Sequence, residues 1–222
     1  MKMPTPQRSR PAVKKTPQAP RPVRRTQEQR SSTTQAVVIE AAIDCLHRLG
    51  YAATSTTLVA KEAGVSRGAM VHQFPAKSDL MLAVVRAVFE QDGELHKQSI
   101  EATSPRQWMR NLPETMWSVI GRPSGIAVIE IMLASRSDPA LADELRAVQQ
   151  QIDSEAHIWV LGQHVAAGID EHPKGEAIHR LFVAAVRGLA LEQLFMRNEA
   201  EVKKSIGVLT DVLHLLYPEI DT

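Results

Sequence analysis

At 222 residues, 44% of them apolar and with a net charge of +1, the chain is long enough to bury a substantial core in one or two domains. Its single cysteine, Cys45, excludes an internal disulfide and fits a reducing cytosol. No run approaches the ~18 consecutive apolar residues of a helical membrane span. A cytoplasmic protein with no membrane partner is therefore expected.

The charge is unevenly spread. Residues 1–25 hold eight basic residues, six prolines and no acid, whereas residues 91–222 hold 12 basic residues against 19 acidic ones. The acidic remainder argues against indiscriminate nucleic-acid binding by the whole molecule. The leading segment has too little apolar bulk to offset the cost of ordering, so a disordered basic arm is expected. It lacks the apolar stretch of a secretory signal. Such an arm can track phosphates or enter a minor groove; its other reading is a charged, solubilising leader.

The first helix is expected from Arg30 to Leu49, with Gly50 stopping it. Val38, Ala42, Cys45, Leu46 and Leu49 form one apolar stripe, which makes Cys45 a packed thiol rather than a reactive one. Arg30 is placed to reach a DNA backbone.

From Thr54 to Lys77 the chain reads as two short helices joined by a tight turn. Ser55 can cap the first helix, and Leu58, Val59 and Ala63 recur at helical spacing. Gly64 suits the left-handed position after that helix. Val65 plugs the gap, Ser66 caps a second helix through about Gln73, and Pro75 ends it. This is a helix-turn-helix. The early outward positions of its second helix are Arg67, Gly68, Ala69 and His72, whereas Met70 and Phe74 face the core. Arg67 can pair bidentately with guanine, Ala69 can meet a thymine methyl, and Gly68 permits close backbone approach. Ser55, Thr56 and Thr57, at the start of the preceding helix, join the candidate DNA contacts.

The run AxxAGVSRGAMxHxFPxKxxL resembles the DNA-binding domain of the TetR family of bacterial regulators. The matching positions are Ala60, Ala63, Gly64, Val65, Ser66, Gly68, Ala69, Met70, Phe74, Lys77 and Leu80. The likeness covers roughly residues 30–90. Val71 stands where the family usually has Tyr, which removes one expected phosphate contact. Gln73 stands where His is common and can still donate to a phosphate. Lys77 begins a fourth helix running through Phe89, at an N-terminus where a bound phosphate would offset the unfavourable placement of a cation.

Beyond Glu90 the pattern predicts helices near 90–101, 105–120, 124–135, 138–168, 174–197 and 199–216, with no alternation typical of strands. The fold class is all-α: an N-terminal helix-turn-helix three-helix domain plus a larger helical ligand-binding and dimerisation domain. The expected boundaries are 1–25 for the arm, 26–76 for the DNA-binding domain and 77–222 for the second domain, with 77–90 connecting them. Trp108, Met116, Trp117, Ile120, Leu133 and Trp159 form an apolar and aromatic lining. The resemblance implies that this second domain holds a small-molecule cavity. Glu130, inside AVIEIML, is expected to pair with Arg110, Arg136 or Arg187, or to face a polar ligand. His157 is a second polar candidate.

The last two helices are the expected homodimer element, through Leu181, Ala185, Gly188, Leu189, Leu209, Val212, Leu213 and Leu216. No HExxH, CxxC, P-loop or GxSxG occurs, so no catalysis, metal or cofactor is expected beyond an unknown small-molecule effector. The function expected is a ligand-responsive repressor that binds a palindromic double-stranded operator as a homodimer. The competing reading is a helical interaction module whose basic tail binds nucleic acid without sequence preference.

Overall fold

A computed structural model describes residues 27–170 and 172–221, with side chains from Ser31 onward. The arm expected over residues 1–25 and the side chain of Arg30 lie outside the described residues. Among those residues there is no strand. The helices are α1 (Gln27–Ala53), α2 (Thr56–Glu62), α3 (Arg67–Gln73), α4 (Lys77–Ala102), α5 (Pro105–Arg110), α6 (Leu112–Ile120), α7 (Pro123–Ala134), α8 (Pro139–Ala167), α9 (Gly175–Met196) and α10 (Glu199–Leu216).

Local chemistry sets most of these boundaries. Ser55 Oγ accepts from Leu58 N at 3.2 Å, and Ser66 Oγ accepts from Ala69 N at 3.1 Å, so both short helices are capped as expected. Gly64 adopts φ +65°, the left-handed conformation that closes α2. Proline occupies the first turn of α5, α6, α7 and α8, where its missing N–H costs nothing.

Gly50 ends the first helical run of α1 as expected, at φ 76° and ψ 172°, and a short helical segment follows it to Ala53. Two expected boundaries need correction. The helices expected at 77–89 and 90–101 are one rod, α4, because Gly93 leaves the helix unbroken and no proline intervenes. The segment 105–120 is two helices that meet at Asn111. Pro113 cannot donate to the carbonyl of Met109, so the first helix ends and α6 begins with proline in its opening turn.

Two apolar cores result. The first gathers Val38, Ala42, Cys45 and Leu46 of α1 with Val59, Met70, Leu80 and Val84, and it continues into Ala127 and Ile131 of α7 and Leu141 and Leu145 of α8. It therefore crosses residue 76 without a gap. Leu49, expected in this stripe, is exposed. Cys45 is fully buried, and burial pushes its thiol pKa up, as a packed rather than reactive cysteine requires. The second core joins Trp108, Met109 and Met116 to Phe182, Val186, Ile206 and Leu213.

Candidate DNA-contacting surface and interior cavity

Met70 and Phe74 are buried on the inner side of α3, which leaves Arg67, Gly68, Val71 and His72 outward, with Ala69 half-buried. Seven residues make barely two turns, so the helix depends on its Ser66 cap and these two anchors. Ser55 and Thr57 are exposed beside it and Thr56 is half-buried. Val71 belongs to the exposed face and is 53% exposed.

Two expected phosphate donors are engaged within the chain. The Gln73 amide donates to Ser31 Oγ at 2.6 Å, tying the end of α3 to the start of α1. Lys77 Nζ donates to the Tyr51 carbonyl at 2.7 Å and lies 3.7 Å from the Tyr51 ring centroid. Burial holds its pKa below the usual lysine value. At the α4 N-terminus, Asp79 Oδ2 accepts from Ala76 N at 2.8 Å.

Glu130 resolves differently from every expectation. Its Oε2 accepts from the Tyr51 amide at 3.0 Å, with no arginine paired to it among the described residues. Gly50 is required here twice, by its positive φ and because a Cβ would come within 3.2 Å of that same oxygen. A half-buried carboxylate thus grips the backbone just past the α1 kink.

In the second domain a cavity of about 380 Å³ opens between α4, α5, α6, α8 and α9. Trp108, Met116, Ile120 and Trp159 line it as expected. Trp117 packs outside it, on the second core and against Gly121, and Leu133 is exposed to solvent. His157 lines a neighbouring pocket between α8 and α9 rather than the cavity.

The polar lining was not anticipated from sequence. Asp92 and His96 of α4, and His179 and Arg187 of α9, all reach the cavity. Burial raises the Asp92 carboxyl pKa to about 7, offset in part by Arg122. Burial, with His179 nearby, lowers His96 to about 4. The two indoles meet edge-on at 5.0 Å, and His96 stands 5.7 Å from each. A usable signal existed: Asp92 and His96 are four apart on α4, and His179, Val183 and Arg187 are four apart on α9.

On the last two helices, Leu213 is buried inside the chain, and Leu189, Leu209 and Leu216 pack against the second core. Ala185 is half-buried. Of the expected interface residues, Leu181, Gly188 and Val212 face outward, and Ala184, Phe195, Val208 and Leu215 share the exposed side.

A capped, exposed recognition helix on an all-helical body with an internal cavity defines a helix-turn-helix, DNA-binding transcriptional regulator. The profile of the bacterial regulatory proteins of the tetR family matches residues 38–84. The HTH-type transcriptional regulator CymR of Pseudomonas putida is 30% identical over 186 residues, spanning 82% of this chain and 90% of that protein. Among solved structures, a TetR transcription regulator of Haloarcula marismortui gives a TM-score of 0.66 at 16% identity, covering 84% of this chain and 99% of that one. GusR of Salmonella enterica gives 0.63 at 20% identity, covering 84% and 96%. The chain belongs to the TetR family.

Proposed function

We propose that the protein is a cytosolic repressor that binds a palindromic operator as a homodimer and releases it when a small molecule enters the cavity. The observation that carries this reading is the presentation of α3, with Met70 and Phe74 pinned beneath and Arg67, Gly68 and His72 outward. Arg67 reads a guanine edge, and Ser55, Thr57 and Ser66 meet the flanking phosphates. Arg30 and the basic arm add backbone contacts.

The dimer forms through the exposed apolar side of α9 and α10, chiefly Leu181, Gly188, Val208, Val212 and Leu215. Coupling runs along α4. This helix of 26 residues, about 39 Å long, begins at Lys77 beside the helix-turn-helix and carries Asp92 and His96 at the cavity wall. A ligand that prefers one tilt of α4 changes the spacing of the two recognition helices, and DNA weakens ligand binding by the same factor.

The test is nuclease footprinting on the DNA flanking the protein's own coding region. One symmetric footprint is expected, with half-sites about 34–36 Å apart. Arg67→Ala should cost about 1–3 kcal/mol and relax preference at one base position per half-site. Sequence-independent binding with a steep salt slope and no discrete footprint would overturn the proposal.

A further inference from the structure

The polar atoms of the cavity share one property that its apolar walls conceal. Trp108 is only 2% exposed, and its indole Nε1 has no acceptor. An indole nitrogen can only donate. Arg187, on α9, lines the same cavity, and its guanidinium likewise only donates. Among the described residues it makes no hydrogen bond or ion pair, although Asp153 lies near enough to favour its charge. His96 Nδ1 is buried without a partner and donates in one tautomer. Asp92 Oδ1 is also unpartnered, and this carboxyl, raised by burial to about 7, donates when protonated.

The occupant that this set lacks is therefore one that supplies acceptors. Charge points the same way. The other carboxylates on the lining, Glu90, Asp153 and Glu155, belong to exposed residues that water can solvate. Asp92 has the Arg122 charge nearby, whereas Arg187 is a desolvated cation with no buried anion paired to it. Size narrows the choice further, because about 380 Å³ is near the small end of ligand pockets.

We infer that the cavity takes a compact, mostly apolar monocarboxylate, its anionic end on Arg187 and an acceptor oxygen bonded by Trp108 Nε1. Its body lies against the Trp108 and Trp159 rings and the side chains of Met116 and Ile120. This rests on the effector-cavity reading above and adds the ligand's chemical class.

Three probes with one apolar body separate the possibilities: phenylpropanoate, phenylpropanamide and phenylpropylamine. Each is titrated into the full chain at up to millimolar concentration while tryptophan fluorescence is followed, since two of the three tryptophans line the cavity. The acid should bind about tenfold or more tighter than the amide and the amine. Arg187→Met should abolish that preference while leaving amide binding unchanged, and Arg187→Lys should restore part of it. Trp108→Phe, which keeps a ring and loses the donor, should weaken the acid several-fold. If the amine binds best, or all three bind equally, the carboxylate inference is wrong and the cavity remains an effector site. If none perturbs the fluorescence of a chain that still footprints its operator, the cavity reading itself falls.

Discussion

The helix-turn-helix and the cavity wall are both built from helices around an apolar core, yet they treat polar groups in opposite ways. In the first, Ser55, Ser66, Gln73, Lys77 and Asp79 each have a partner within the chain. In the second, Asp92 Oδ1, His96 Nδ1 and Trp108 Nε1 are buried without one. Among the described residues, every buried side-chain polar atom lacking a hydrogen bond lies beyond residue 90. A surface that must fit a duplex is closed upon itself and holds one shape. A region that must respond to a small molecule is left short of partners, at a cost in stability that the ligand removes.

This contrast can be broken at three points. The largest effect is expected at Leu46, fully buried in the first core. Leu46→Ala should cost about 2–5 kcal/mol, because the cavity it leaves cannot collapse among rigid neighbours. Urea unfolding measures it, and DNA binding should be lost in step. A cost below about 1 kcal/mol would mean that the closed region is not tightly packed.

The second point is Asp92, where the sign should reverse and removing an ionisable group should stabilise. Burial raises this carboxyl from 3.8 to about 7, so the folded chain keeps a proton that the unfolded chain has released. The stability it contributes is full below about pH 4, falls as pH rises to about 7, and is level above that. Asparagine carries no titrating proton. The gain of Asp92→Asn over the parent should therefore grow from about pH 4 to about pH 7 and reach at most a few kcal/mol. His96, lowered to about 4, has the opposite slope in both proteins and cancels in the difference. Equal gains in denaturant titrations at about pH 5 and about pH 8 would show that Asp92 is not held neutral.

The smallest effect is expected at Gly64. No atom lies within 4 Å of a Cβ built there, and φ is +65°, so Gly64→Ala measures backbone strain alone. About 1 kcal/mol is expected from thermal melts, with the operator footprint retained.

Legibility followed the range of the interaction. Ser55, Gly64, Ser66 and Pro75 act on their immediate neighbours, so the turn and both short helices could be placed from sequence to within a residue or two. The all-helical class and the lining by Trp108, Met116, Ile120 and Trp159 were legible for a similar reason, since helical spacing exposes them. What escaped was set by distant elements. Glu130 looked like an ion-pair residue because its partner, a backbone amide 79 positions earlier, carries no side-chain signal. Leu213 was assigned outward because α10 is apolar on two sides, and periodicity cannot tell which side meets the core. Arg187 was weighed only as a partner for Glu130, and His179 was not seen as a cavity residue, because a polar residue inside an apolar stripe resembles an ordinary edge position until five helices close around it.

Tyr51 is held from two sides at once: its amide by Glu130 of α7 and its carbonyl by Lys77 of α4. Those two helices flank the kink at Gly50, and α4 continues to the cavity wall. Hydrogen bonds of this kind weaken with small changes in length or angle. Neither helix can slide past the other without loosening one jaw of the clamp. A change in the relative placement of α4 and α7 would therefore be felt at Tyr51, the residue beside the α1 kink, and a bulkier residue at position 50 would crowd the Glu130 carboxylate that holds it.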